Sequence, residues 1–286
     1  MKNLKLGLIA SGIVLGALVT QGASAQGKGK GPAAPAAPAA PAATLSPTAA
    51  QDLRSGDEGK VRAALDDVRM VGKSKAGSAI APVVAEVLTK GLSLALTEAA
   101  LDTLGDLEVE GTSPVIASYL QHRNVKIRQA AVKALLHTKG AVAVRGLRRA
   151  LGDQDAMVRG VAATGLGTLK AKDAVPDLFL ALEHRVNEAA SSIGMLCAAA
   201  ECDQLSGKVG RLPFDVMSGG IEQILFRPTA EVNDDTKIKM IGKLRELGTP
   251  ETNKFLRDVA KRFPKDASAR VKQALDQAVA ATGGAL

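Results

Sequence analysis

Residues 124–136 read NVKIRQAAVKALL. Ile127, Ala130, Ala131, Ala134 and Leu135 fall at i, i+3, i+4, i+7 and i+8, the spacing that gathers apolar side chains on one face of an α-helix. The same template recurs at Leu96, Ala99, Ala100, Thr103 and Leu104, and at Val158, Val161, Ala162, Gly165 and Leu166. It recurs again at Val271, Ala274, Leu275, Ala278 and Val279, and looser copies start at Val61, Val186 and Ile238. The anchors Leu96, Ile127 and Val158 are evenly spaced, 31 positions apart. A period of that size indicates small helical units stacked in an array rather than one globular core.

The punctuation repeats with the template. Ser93, Asn124, Asp155, Asp235 and Ser268 each stand three residues before an anchor, and each can cap a helix N-terminus with a side-chain oxygen. A second helix follows in each unit, and Pro82, Pro114, Pro176 and Pro250 are expected in its first turn, where the missing N–H has no intrahelical partner. No run of alternating β-branched residues is present, so strands should be nearly absent. The expected fold is all-α: an α-solenoid of about six to seven antiparallel helix pairs over residues 51–286.

The units 124–151 and 155–182 resemble HEAT repeats of the short bacterial kind found in phycobilisome-lyase-like proteins. The Val61-Arg62, Ile127-Arg128 and Val158-Arg159 pairs, followed by Ala-Ala and a late Gly, carry the resemblance. It covers residues 55–185 well and 234–286 more loosely. It implies a right-handed solenoid whose second helices line a concave face used mostly for binding proteins, and it specifies shape more than activity. Residues 203–233 depart from the pattern and are expected as an irregular insertion, with a short helix from Ile221. Packing filler and binding loop are both open readings of this segment.

The first fifty residues do not carry the repeat. Lys2 and Lys5 precede an uncharged run from Leu6 to Val19, and Ala23-Ser24-Ala25 offers small residues for a signal peptidase, so residues 1–25 read as a secretory signal peptide. Fourteen residues of helix rise only about 21 Å, short of a hydrocarbon core of roughly 30 Å, so no permanent membrane span is expected. Residues 26–50, Gly/Lys-rich and then Pro-Ala-Ala repeats, read as a semi-rigid linker. The expected location is the periplasm or the outside of the cell.

Composition narrows the function. With no Trp, one Tyr and five Phe in 286 residues, the chain lacks the rings for a carbohydrate groove or a base-stacking platform. Three His and two Cys do not suffice for an extended metal site. His122, His137 and His184 are isolated, and no nucleophile elbow, phosphate loop or zinc spacing occurs, so neither an enzyme nor a cofactor is expected. Beyond residue 50 there are 33 basic and 29 acidic residues, too even a balance for a nucleic-acid binder in an exported chain.

Charge is unevenly placed, however. Residues 121–152 hold eight Lys and Arg and no acid. Arg145, Arg148 and Arg149 lie on one face of the second helix of that unit, opposite Val144, Leu147 and Leu151. Guanidinium forks suit carboxylates, so this cluster is the leading candidate for partner binding; the plainer reading is a solvated face partly neutralised by acids such as Asp153. Ala117 and Ser118 are expected beside it, with Phe179 and Leu180 as its apolar flank, although a one-residue register shift sends Phe179 into the core. Cys197 and Cys202 are candidates for a structural disulfide, provided the helix ends between them. The functional expectation is a non-enzymatic scaffold or adaptor that binds a protein partner on its concave face, with an acidic segment of that partner as the candidate contact. The alternative is a bilin-lyase-like or other modifying enzyme, suggested by the repeat subtype alone.

Overall fold

A computed structural model describes residues 44–282, so the signal peptide and most of the linker read from the sequence lie outside the described residues. The chain enters a short helix, α1 (Ala49–Arg54), where Ala49 and Ala50 are already helical. Four pairs follow the expected order: α2 (Glu58–Val71) with α3 (Lys75–Lys90), α4 (Leu94–Leu107) with α5 (Ser113–Ser118), α6 (Val125–Thr138) with α7 (Gly140–Ala150), and α8 (Ala156–Thr168) with α9 (Val175–Glu183). Then come α10 (Glu188–Leu196), α11 (Ala199–Ser206), α12 (Phe214–Phe226), α13 (Asp234–Leu247), α14 (Pro250–Arg262) and α15 (Ala269–Thr282). Among the described residues no strand forms, only an isolated bridge between Val209 and Leu212.

Apart from α9, which packs chiefly on α10, helices pack on the one two places along. The succession α2, α4, α6, α8, α10, α12, α14 makes one layer, and α1, α3, α5, α7 and then α11, α13, α15 lie in the other. The template residues explain why. Ile127, Ala130, Ala131, Ala134 and Leu135 are all buried, as are Val158, Ala162, Gly165 and Leu166 one unit on. A single contiguous core runs through the stack from Leu53 to Ala278. No helix is long and apolar enough to cross a membrane among these residues.

Polar cross-links repeat along both layers. Arg54 of α1 meets Glu86 of α3, Arg69 of α2 meets Asp106 of α4, and Arg148 of α7 meets Asp177 of α9. Lys239 of α13 meets Asp203 of α11, Arg262 of α14 meets Glu222 of α12, and Arg270 of α15 meets Asp235 of α13. Exposed pairs of this kind contribute at most about 1 kcal/mol each. The pair from Arg128 to Asp153 differs, because both side chains are largely buried and the guanidinium forks onto the two carboxylate oxygens at 2.9 Å. Arg128 also donates to the His122 carbonyl, and Arg159 repeats the move on the carbonyls of Asp153 and Gln154. The arginines of the Ile127-Arg128 and Val158-Arg159 pairs therefore tie the loops that precede their own helices.

Several expectations are corrected. Pro82 sits in the middle of α3, not in its first turn, because Ser74 caps the helix eight residues earlier by accepting from Gly77 N. The ring is on the exposed side, where water can satisfy the Ser78 carbonyl that loses its donor. The cap of α13 is Asn233, which accepts from Thr236 N; Asp235 lies inside the helix and pairs with Arg270 instead. The copy read from Val186 starts at Ala189, which keeps the 31-residue step from Val158, while Val186 lies in the preceding turn.

The segment 203–233 is largely regular rather than irregular. Met217, Gly220, Ile221, Ile224 and Leu225 of α12 repeat the template spacing and are all buried. Gly219 and Gly220, just ahead of the short helix expected from Ile221, lie within α12, which crosses α10 backbone to backbone at Gly220. A Cβ on Gly220 would land on the Ala190 carbonyl oxygen, and one on Gly194 would land on that of Gly220. α12 is thus an extra template helix in the even layer, after which α13 and α15 carry the template in the odd layer.

Candidate functional site

The second helices α3, α5, α7 and the start of α9 stand side by side. On α7, Ala143, Gly146, Leu147 and Ala150 face the core. Arg145, Arg148 and Arg149 consequently face outward, and all three are exposed. They separate into two environments. Arg148 Nε donates to Asp177 Oδ2 at 2.6 Å, which turns that guanidinium toward α9. Arg145 and Arg149 have no carboxylate within ion-pair distance among the described residues, and they line an open groove between α5 and α7.

That groove encloses about 590 Å³ and is bordered by Pro114, Ala117, Ser118, Gln121, Val142 and Gly146 besides the two arginines. Its floor stays low because Gly146 admits Leu135, Leu120 and Ala117, each of which a Cβ there would press against. Residues at i and i+4 lie about 6 Å apart on a helix, so the two guanidinium groups can close on one carboxylate or on neighbouring ones. Arginine stays charged at all physiological pH and offers donors only, so the groove can bind and orient an anion but supplies no acid–base chemistry. Asp153, the acid expected to neutralise the cluster, is engaged by Arg128 on the other side of the unit. Burial pushes the Asp153 carboxyl up, but the Arg128 fork and the Asp155 N–H overcome this and hold it below the usual carboxylate range.

Phe179 does not belong to the groove. It is 6% exposed and sits in the core with Val175, Leu178 and Leu182. Leu178, 31 positions beyond the buried Leu147, is buried as well, and Phe179 next to it also turns inward, at the position where α7 exposes Arg148. Leu180 is the apolar side chain left outside, at 56% exposure. Ala117 and Ser118 do border the groove. Sequence reasoning did not find Asp177, although an acid near that register opposite an exposed arginine was the available signal.

Cys197 and Cys202 are joined by a disulfide with Cα atoms 5.2 Å apart. The bridge is possible because α10 ends at Leu196, Cys197 turns to extended backbone, and α11 restarts at Ala199. Arg227, the residue after α12, caps the frayed end of α10 through its guanidinium, donating to Cys197 O at 2.8 Å and Gly194 O at 3.2 Å. Lys237 in turn donates its buried amine to the Arg227 carbonyl. Burial lowers the Lys237 pKa, with nearby Asp234 opposing that shift.

The histidines are dispersed. His122 Nδ1 accepts from Asn124 N and its ring stacks near Tyr119, while His137 lies 3.7 Å from Glu108. No group of three or more His, Cys, Asp or Glu able to hold a metal occurs among the described residues.

The HEAT-repeat family model matches residues 81–167, which span α4 to α8 and most of α3. No curated protein matches the chain. Among solved structures, the chain is similar to the complex of CpcE and CpcF of phycocyanin lyase from Nostoc sp. PCC7120, at 18% identity and TM-score 0.44 over 88% of this chain and 100% of that one. It is also similar to human deoxyhypusine hydroxylase, at 16% identity and TM-score 0.36 over 82% of this chain and 95% of that one. HEAT repeats are thus matched over residues 81–167, and stacked helix pairs continue on both sides of that stretch.

Proposed function

We propose that this chain is an exported, non-enzymatic scaffold or adaptor that takes up an acidic segment of a protein partner in the groove between α5 and α7. One observation carries this reading. Arg145 and Arg149 stand side by side over an open groove with no carboxylate within ion-pair distance among the described residues, whereas Arg148 between them is held by Asp177. Leaving two like charges adjacent costs stability, and a partner's carboxylates relieve that cost on binding.

Export rests on the sequence of residues 1–25 alone, and mature-chain sequencing from the cell envelope tests it: a first residue at Gln26 is the expected result. Affinity capture from envelope extract with quantitative mass spectrometry tests the groove. Arg145→Glu/Arg149→Glu should lose the bound partner, whereas Arg123→Glu/Lys126→Glu, an equal change in net charge outside the groove, should keep it. Equal loss in both variants reduces the effect to general charge and removes the site.

A further inference from the structure

Beyond the arginine groove, α5 has a second flank. Thr112 and Val115 face a smaller groove toward α3, about 290 Å³, completed by Pro82, Ala85, Val109 and Gly111. Its lining is mostly apolar, and its volume suits one large aliphatic or aromatic side chain. Glu86 stands at its rim, but Arg54 and Lys90 both bond to that carboxylate, and chiefly the Arg54 hydrogen bond, then that of Lys90, holds its pKa down to about 2. The Glu86 carboxylate at the rim is therefore offset by two cations toward an acidic chain.

The two grooves are separated only by α5, a helix of six residues. A helix with its side chains is roughly 10–12 Å across. An extended chain laid over it, rising about 3.1 Å per residue with a three-residue turn, presents the same side every 9 Å or so. One side chain can then enter the apolar groove while another, about three positions away, reaches Arg145 and Arg149.

We infer that the partner segment is recognised at two points: a large apolar side chain held between α3 and α5, and a carboxylate held between α5 and α7. This deepens the reading of the arginine groove and rests on it. α5 acts as the ridge that fixes the spacing, and the cationic groove fixes which end of the segment lies on which side. Complementarity of charge commits the second groove to the same acidic segment rather than to a separate ligand.

The test uses the full chain and labelled Gly/Ser peptides that carry Leu and Asp about three positions apart, Leu alone, or Asp alone, read by fluorescence anisotropy. The two-point peptide should bind about tenfold or more tighter than the Asp-only peptide. Gly111→Leu fills the apolar groove; a Cβ at Gly111 meets nothing within 4 Å, so the fold is undisturbed. This variant should bring the two-point peptide down to the Asp-only affinity and leave the Asp-only peptide unchanged. Arg145→Ala/Arg149→Ala should abolish the preference for Asp while circular dichroism stays the same.

Equal affinities of the two-point and Asp-only peptides overturn the second point and leave the arginine groove standing. Asp-dependent binding that survives the arginine variant overturns the groove itself. Binding of none of the peptides overturns the two-point inference. Self-association of the free chain that Gly111→Leu abolishes also overturns it, by giving the apolar groove to a second copy.

Discussion

The stack from α2 to α9 and the joint from α10 to α12 bury comparable apolar faces but are held by different means. In the first, the units share one solution: template residues inward throughout, a bonded cap at the start of α2, α6 and α8, and at α6 and α8 an arginine after the anchor that ties the preceding loop. In the second, the solution occurs once: three glycines and Ala190 at a backbone crossing, a disulfide, and two cations that cap successive helix ends. The difference teaches that repetition holds an array wherever units are alike, and that a change of layer needs local devices that no neighbouring unit supplies.

The contrast breaks hardest at the crossing. Gly220→Val should cost on the order of 3 kcal/mol or more, because the side chain drives into the backbone at Ala190 and nothing flexible can yield. Denaturant unfolding checks this, and Gly242→Val, whose Cβ position is open, should cost far less. An equal loss at both positions indicates a helix-propensity effect and not a crossing.

Arg128→Ala comes next, at roughly 2–4 kcal/mol, since it leaves the largely buried Asp153 carboxylate without its fork. The pH dependence sharpens the point. A carboxyl held below its ordinary value stabilises the fold above about pH 4 and loses that contribution as pH falls through its lowered value. Arg128→Ala should therefore flatten the acid limb of the stability curve.

Removing the disulfide with Cys197→Ser/Cys202→Ser should cost about 2 kcal/mol for so short a loop. Hydrogen exchange should quicken at α11 and the end of α10 and leave α4 to α8 unchanged. Uniform quickening across the chain contradicts a local device.

The smallest effect separates caps that bond from caps that do not. Asp155→Ala should lose about 1 kcal/mol, because its side chain accepts from Val158 N. Ser93→Ala should lose only a few tenths, because Ser93 makes no side-chain cap bond.

The same contrast explains what was legible in the sequence. Residues 96, 127 and 158 announce the regular half because the same spacing buries the same face each time. The template at Met217, Gly220, Ile221, Ile224 and Leu225 was equally present, yet Gly219-Gly220 reads as a break unless the facing Gly194 is known to be in contact. At the candidate site, Arg145, Arg148 and Arg149 were legible as one face of a helix, but not their division. Asp177 on the neighbouring α9 captures Arg148, and Phe179 turns into the core at the position where α7 exposes Arg148. Register between neighbouring second helices is set by loop geometry that no periodicity records.

The central claim is that the groove between α5 and α7 meets a partner's carboxylates. A photocrosslinking amino acid placed in living cells at Ser118, on the groove, and at Thr164, exposed on α8 in the other layer, tests it most directly. The account predicts a discrete protein adduct from position 118 alone, lost with Arg145→Glu/Arg149→Glu. The same adduct from both positions, or one that persists when the two arginines are reversed in charge, contradicts it.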